Sequence, residues 1–397
     1  MNRRMFAQLM AIGGSLGLIP VANAQDADNA DDEEPAGSSN NRLESVVKVT
    51  DFTDVAKAKL PKATFEYITT GSCNQLTLAE NMAAFERMQV LPPLLRGVSK
   101  PDPSTTVLGQ KIKFPVMLAP VAGQRMFHPQ GALAAARAAT NAGTIMGVSS
   151  SVLNSVEEVG AASDGPKWFQ LYMPKNRTVA KQLVQRVEKA GFNAIILTVD
   201  LGEWKDSDHR NKFGVPRDML YKHLRDIGFP VKSNMSMDEL TKLNINAWDL
   251  GMTWEIFDWL RDQTKLPILI KGVLRSDDTE KAIAKGVDGI VVSNHGGRRL
   301  DTMPASIDRL PEIVKTVDGR CDVLLDSGIR RGTDVLKALA LGAKAVLIGR
   351  PYAWALAANG EAGVDQVLQM FHDEFVNAMA SSGCQTVAEI DSSLLVS

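Results

Sequence analysis

The feature that most constrains the fold is a repeat of short apolar runs, each followed by a stretch with helical periodicity. Within the runs hydrophobicity is continuous rather than alternating, which is typical of strands buried on both faces of a parallel sheet. The predicted strands are residues 114–120, 144–149, 168–172, 194–200, 267–272, 289–293, 322–326 and 345–348. This spacing predicts an α/β chain in which strands and helices alternate.

Amphipathic segments between the runs predict helices at residues 131–141, 178–190, 276–285 and 332–341. A glycine typical of a helix end follows each of them: Gly143, Gly191, Gly286 and Gly342. Eight strand–helix repeats favour a closed (β/α)₈ TIM barrel. An open doubly wound sheet is the alternative, but no G-x-G-x-x-G motif follows the first strand.

Two segments lie outside the repeat. Residues 51–108 precede the first strand, and we expect a mostly helical segment that caps the bottom of the barrel or packs beside it. Residues 201–265, between the fourth and fifth strands, form the largest insertion. We expect this insertion to be a loop over the barrel mouth.

The first 24 residues predict an export signal peptide. Arg3 and Arg4 precede an apolar stretch, and residues 22–24 form a small-x-small cleavage pattern. The arginine pair is similar to the twin-arginine signal, a route that carries folded proteins. We therefore expect a periplasmic protein that is exported folded, with a fraying N-terminal helix as the alternative.

Residues 25–41 predict a disordered linker. They contain six acidic residues and no basic residue, and such a segment buries too little apolar surface to offset its ordering entropy. An acidic docking arm is the alternative. The barrel domain would then span residues 42–397.

Composition excludes several classes of function. A formal net charge of −2 argues against a nucleic-acid-binding surface. The three cysteines, Cys73, Cys321 and Cys384, are far apart and odd in number. They indicate neither a disulfide framework nor a metal site, and we predict no metal.

Polar or small residues end nearly every predicted strand, and in a barrel these ends converge on the face where barrel enzymes have their active sites. They are Val121, Ala122, Ser149, Gln170, Tyr172, Thr198, Asp200, Lys271, Ser293, Asn294, His295, Asp326, Gly328, Gly349 and Arg350. Convergence from so many strands is hard to explain by packing, so we expect a binding or catalytic site there.

The last two repeats predict a phosphate site. Gly328 and Gly349 lie just before helix starts, where backbone N–H groups and the positive helix end favour an anion. Arg330 and Arg350 supply matching positive charge. The alternative is that the glycines only turn the chain and that the arginines are solvated.

His295 is the predicted general base. It lies in a glycine-rich loop after the sixth strand, with Arg298 three residues later as a carboxylate clamp. Asp200, at the end of the fourth strand, could orient the imidazole. Lys271 could stabilise a developing anion. A purely structural histidine is the alternative.

These residues resemble the FMN-dependent 2-hydroxy-acid oxidase and dehydrogenase family. The resemblance covers about residue 51 to the C-terminus. It rests on residues 60–67, Gly71, and residues 77–81, 119–120, 169–172, 198–200, 266–272, 293–301 and 326–334. It implies that FMN lies across the barrel mouth, that the substrate is a 2-hydroxy acid, and that the protein is a homo-oligomer, by family a tetramer. A soluble cytochrome, a quinone or oxygen would accept the electrons.

The resemblance also assigns roles. His295 would remove the substrate's hydroxyl proton with Asp200, Lys271 and Tyr172 as further catalytic residues. Arg298 would hold the carboxylate, and Tyr67 and Tyr172 the polar edge of the substrate. The predicted FMN contacts are Val121, Ala122, Ser149, Gln170, Thr198, Lys271, Ser293, Asp326, Gly328, Arg330, Gly349 and Arg350.

Departures from the family pattern lie on the substrate side. Ser151 stands where the family often has a tryptophan, which leaves space. The segment after Asp200 is about two residues shorter, and Lys205 falls where a carboxylate-binding arginine is usual. On the flavin side, Val121 stands where the family motif APTA has its threonine, so a hydroxyl near the flavin is missing. We therefore expect a substrate bulkier than glycolate.

Two other functions remain open at this stage. One is a non-catalytic FMN-binding redox or interaction module, against which His295, Asp200 and Arg298 argue. The other is a phosphate-binding lyase or isomerase without flavin.

Overall fold

The computed structural model describes residues 46–201 and 214–396. Eight parallel strands form a closed barrel in which each strand pairs with its neighbours in chain order, and the last pairs with the first. They are β3 Val116–Leu118, β4 Met146–Ser149, β5 Lys167–Leu171, β6 Ala194–Thr198, β7 Ile268–Val273, β8 Gly289–Val292, β9 Asp322–Asp326 and β10 Ala345–Ile348. The predicted barrel is confirmed.

A two-stranded antiparallel hairpin, β1 Thr105–Val107 and β2 Gln110–Ile112, precedes the barrel and was not predicted. Val107 and Ile112 are buried in one apolar cluster with side chains of the barrel interior. The Trp168 indole Nε1 donates to Gln110 Oε1 over 3.2 Å, near the start of β5. The hairpin therefore closes the amino-terminal end of the barrel.

The N-terminal segment is helical, as expected, with α1 Phe52–Lys59, α2 Lys62–Thr69 and α3 Leu76–Arg87. The expectation that it caps the bottom of the barrel is wrong for α2 and α3. Asn81 of α3 bonds to Asn294, which follows β8, and the carbonyl of Thr69 accepts from Arg350, which follows β10. These helices therefore lie at the carboxyl-terminal end of the strands.

Helices alternate with the barrel strands. They are α4 Ala132–Ala142, α5 Val156–Gly160, α6 Arg177–Lys189, α7 Arg217–Ile227, α8 Met237–Asn246, α9 Glu255–Gln263, α10 Ser276–Ala284, α11 Ser306–Val317, α12 Gly332–Ala340 and α13 Arg350–Ser381. The four helices predicted from periodicity correspond to α4, α6, α10 and α12. The glycines that follow them have positive φ angles of 68° to 98°, a conformation that glycine adopts without steric cost.

The insertion between β6 and β7 differs from the expected loop. Its described part carries three helices, α7, α8 and α9. The α8 helix begins with a capping box, in which Ser236 Oγ accepts from the Glu239 amide and the Glu239 carboxylate accepts from the Ser236 amide. The apolar side chains of Leu220, Leu224 and Leu240 are buried, so this part of the insertion is packed structure.

Several predictions fall outside the described residues: the signal peptide, the acidic linker and Lys205. Within the described ranges, no helix has the length and apolar character needed to cross a membrane. The same ranges contain no cluster of three or more His, Cys, Asp or Glu side chains that could hold a metal.

Candidate active site

A cavity opens at the carboxyl-terminal end of the barrel. Its walls come from several strand ends, from α2 and from the start of α13. Predicted site residues that line it are Tyr67, Val121, Ala122, Gln170, Tyr172, Thr198, Lys271, His295, Arg298, Asp326, Gly328, Arg330, Gly349 and Arg350.

His295 and Asp200 form a bonded pair beside this cavity. The imidazole Nδ1 lies 3.0 Å from each carboxylate oxygen of Asp200. The backbone at His295 has a φ of +58°, which is strained for a residue with a Cβ, and its N–H donates to Ser293 Oγ over 3.0 Å. The loop thus holds the ring with Nδ1 on Asp200 and Nε2 directed away from it.

Burial sets the charge state of this pair. It lowers the pKa of His295 to about 4, and the charges of Arg299 and Lys271 act in the same direction against that of Asp200. For Asp200, burial would raise the pKa, but His295, Lys271 and Arg299 outweigh it and hold the pKa well below its ordinary value. At neutral pH the site therefore holds an uncharged imidazole beside a carboxylate, which is the form a base needs.

Lys271, near the carboxyl end of β7, is a buried cation with two polar partners. Its Nζ lies 2.8 Å from Ser293 Oγ and 3.0 Å from Asp326 Oδ2. Burial would lower its pKa, but the charges of Asp326 and Asp200 outweigh burial and raise it. The lysine is therefore a fixed positive charge in the cavity wall.

Two tyrosines, Tyr67 and Tyr172, line the cavity. Tyr172 OH lies 3.4 Å from His295 Nε2, and burial raises its pKa, so the phenol stays protonated. Tyr67, on α2, lies under Arg298, whose guanidinium carbon is 4.7 Å from the ring centroid. The same guanidinium donates to the backbone carbonyl of Tyr67, which ties α2 to the loop that carries His295.

Contacts from α3 fix the loops after β8 and β9. Asn81 and Asn294 exchange two amide hydrogen bonds of 2.9 and 2.7 Å, and both side chains are buried. Gly328 has a φ of +90°, and a Cβ there would lie 2.1 Å from the Asn81 carbonyl oxygen. Only glycine allows this approach. The catalytic loops therefore depend on a helix more than 200 residues earlier in the chain.

Gln170 Oε1 and Arg330 Nε are buried polar atoms at this cavity with no hydrogen-bond partner among the described residues. Arg330 stacks on Trp354 with its guanidinium carbon 5.4 Å from the ring centroid, and burial lowers its pKa to about 10. It therefore remains a cation at neutral pH. The unbonded Nε of a buried cation and an unbonded buried acceptor fit a ligand that brings an anion and a donor.

Arg350 has a different environment from the one predicted. Its guanidinium donates to the carbonyls of Thr69, Thr70 and Gly296, over 3.1, 2.9 and 2.8 Å. It lines the cavity and also clamps the end of α2 to the histidine loop. Ser149 does not line the cavity, and Ser293 contributes through Lys271 and His295.

Sequence reasoning missed Arg299. The side chain lines the cavity, and its Nη2 lies 3.5 Å from Tyr172 OH. The signal in the sequence was the doubled arginine after Gly297, of which only Arg298 received a role.

Known proteins resemble this chain along most of its length. It is 49% identical over 350 residues to glycolate oxidase 3 of Arabidopsis thaliana, covering 87% of this chain and 94% of that protein. It is 46% identical over 360 residues to 2-hydroxyacid oxidase 1 of Homo sapiens, covering 89% and 97%. Among solved structures, mandelate oxidase matches with a TM-score of 0.79 and 38% identity, covering 89% and 98%.

The model of the family described as FMN-dependent dehydrogenase matches residues 56–397. The cavity suits this cofactor. A flavin ring has hydrogen-bond donors from which Gln170 Oε1 can accept, and the phosphate of FMN is an anion that Arg330 can bind. Fold, site and sequence identity agree, and the chain belongs to the FMN-dependent dehydrogenase family.

Proposed function

We propose that this protein oxidises a 2-hydroxy acid to the corresponding 2-oxo acid, with His295 as the base and FMN as the acceptor of hydride equivalents. The observation that carries this proposal is the His295–Asp200 pair, with its Nδ1–carboxylate distances of 3.0 Å, at the wall of a cavity that suits FMN. The 2-hydroxy-acid oxidases and the mandelate oxidase to which the chain is similar support the substrate class.

FMN supplies the two-electron acceptor when bound. The protein supplies the proton chemistry. His295 Nε2 takes the proton of the substrate hydroxyl, and the Asp200 carboxylate on Nδ1 stabilises the imidazolium that forms. Lys271 keeps a buried positive charge next to the reacting centre, where it stabilises developing negative charge.

Substrate binding falls to the outer part of the cavity. We assign the carboxylate to Arg298 and the polar edge of the substrate to Tyr67 and Tyr172, all of which line the cavity. Lys205 stays a proposed substrate contact on sequence grounds. Arg330, Gly349 and Arg350 are the proposed phosphate contacts, and the flavin contacts named from the sequence remain as proposed there.

We propose a substrate bulkier than glycolate. Ser151 is a small residue whose carbonyl accepts from the Gly123 amide over 2.7 Å, next to the segment that forms one wall of the cavity. A tryptophan at this position would fill space that a serine leaves. Similarity to mandelate oxidase supports a substrate with a ring.

The electron acceptor and the assembly are proposed by class. Oxygen suits the oxidases to which the chain is similar, and a soluble cytochrome or a quinone would serve a dehydrogenase. The proposed assembly is a homo-oligomer, and by family a tetramer.

The test is anaerobic reduction of the flavin in purified protein by glycolate, lactate and mandelate. Bleaching of the flavin by any of these acids is expected. A protein that carries FMN but is not bleached by a broad panel of 2-hydroxy acids would instead be a non-catalytic FMN module. A well-folded protein without flavin would favour the lyase or isomerase alternative.

We also propose that residues 1–24 direct export of the folded protein to the periplasm through the twin-arginine route. The support is the Arg3–Arg4 pair, the apolar stretch and the small-x-small site. Replacing both arginines by lysine should leave FMN-loaded precursor in the cytoplasm. Unchanged export of the doubly substituted protein would contradict this route.

A further inference from the structure

Arg299 lines the cavity, but the proposed function gives it no role. Its Nη2 lies 3.5 Å from Tyr172 OH, and its guanidinium carbon is 6.0 Å from the centroid of that ring. Tyr172 OH is in turn 3.4 Å from His295 Nε2. The phenol oxygen thus lies between the proposed base and this guanidinium.

A 2-hydroxy acid has the right geometry to contact both His295 and Arg299. Its hydroxyl and its carboxylate stand on adjacent carbon atoms, so their oxygens lie within about 3 Å of each other, the reach of one hydrogen bond. A hydroxyl on His295 Nε2 therefore carries the carboxylate into the region next to Tyr172. A guanidinium there can donate to it with a charge-assisted bond.

Arg298 lines the same cavity, on the side of Tyr67. Its Nη1 donates to the carbonyls of Tyr67 and Thr70, and its guanidinium covers the Tyr67 ring. Part of its hydrogen-bonding capacity therefore secures α2. A carboxylate has two oxygens with about four acceptor positions. It can therefore accept hydrogen bonds from a second arginine on the Tyr172 side.

We propose that Arg299 is a second carboxylate-binding residue, which with Arg298 forms a two-sided clamp and makes the site specific for free acids over neutral derivatives. This inference rests on the proposed function and adds a substrate-recognition residue to it. The two guanidinium groups lie at adjacent positions of one loop and line one cavity. One lies over Tyr67 and the other beside Tyr172, so a single anion can contact both.

The test compares Arg299→Gln with Arg299→Lys and with the native protein. The substrates are (S)-mandelate and its methyl ester, which differ in charge at the carboxyl group. We expect Arg299→Gln to lower kcat/KM for the acid by about 10- to 100-fold, the range of a lost charged hydrogen bond. The ester should change by less than about threefold, and Arg299→Lys should retain part of the preference for the acid.

A binding measurement separates recognition from chemistry. Phenylacetate lacks the 2-hydroxyl and is not oxidised, so its affinity can be read from the change it causes in the flavin absorbance. Arg299→Gln should weaken it by a similar factor, at unchanged FMN content. Equal losses for acid and ester, or unchanged phenylacetate affinity, would overturn the role of Arg299. Absence of turnover of every 2-hydroxy acid by the native protein would instead refute the proposed function.

Discussion

The imidazole Nδ1 of His295 lies 3.0 Å from both carboxylate oxygens of Asp200, although 95 residues separate them in the chain. Their side chains are 18% and 15% exposed. Asp200 follows β6 and His295 follows β8, so the closed barrel brings them together at one end. This contact holds the imidazole so that Nε2 is available to the cavity.

The pH dependence of kcat/KM should reflect the low pKa of His295. A base works only when it is unprotonated, and burial lowers the pKa of this ring to about 4. Activity should therefore be constant from neutral pH downwards and fall as the pH passes through about 4. The measurement is kcat/KM for one 2-hydroxy acid between pH 3.5 and 8, with the span chosen around this value and the ordinary histidine pKa of about 6.5.

Asp200→Asn provides the control for that profile. The carboxylate charge opposes the other influences on His295 by raising its pKa. Its removal should shift the loss of activity to lower pH while slowing the reaction, because the imidazolium loses its stabilising partner. A native acid limb near pH 6.5, unmoved in Asp200→Asn, would contradict the proposed electrostatics.

Asn81→Ala should destabilise the protein by about 1–3 kcal/mol, the cost of leaving a buried polar partner unsatisfied. Asn81 exchanges two amide bonds with Asn294, next to His295. Urea unfolding measures the loss, with the exposed Asn246→Ala on α8 as control, for which a change within about 0.5 kcal/mol is expected. Equal stabilities of the two variants would show that the paired amides do not hold the loop.

Ser151→Trp should shift the substrate preference towards small acids. The new ring would fill space beside the Val121–Ala122 wall, and a bulky substrate would lose apolar burial worth roughly 25 cal/mol per Å². The measurement is the ratio of kcat/KM for mandelate to that for glycolate. The native ratio should exceed that of the variant by at least about tenfold. The same ratio in both proteins, or glycolate as the best native substrate, would refute the size argument.

The barrel could be predicted because each strand has a recognisable local sequence pattern. Continuous apolar runs mark β3 to β10, and the glycines after four helices mark where those helices end. The hairpin of β1 and β2 could not be predicted in this way. Its strands have three residues each, too few to show a period, and its burial depends on barrel side chains that are distant in the sequence, such as Trp168.

The part of the site that comes from strand ends was predictable, because the carboxyl ends of all barrel strands meet on one face. Asp200 and His295 follow strands and Lys271 lies near the carboxyl end of one, so their convergence follows from the fold. The roles of Arg299 and Asn81 depend on contacts between distant parts of the chain, such as the 213-residue separation of Asn81 and Asn294. The sequence pattern also could not show that Arg350 donates to three backbone carbonyls. In the sequence, an arginine that binds phosphate cannot be distinguished from one that joins two loops.

The most direct test of the central claim is the rate of anaerobic flavin reduction by mandelate in His295→Ala, compared with the native protein. His372→Ala, which removes a histidine paired with Asp373 on α13, is the control and should reduce at the native rate. With FMN content equal in all three proteins, His295→Ala should be at least about 100-fold slower, the lower end for loss of a general base. Reduction of His295→Ala at the native rate would contradict the assignment of His295 as the base.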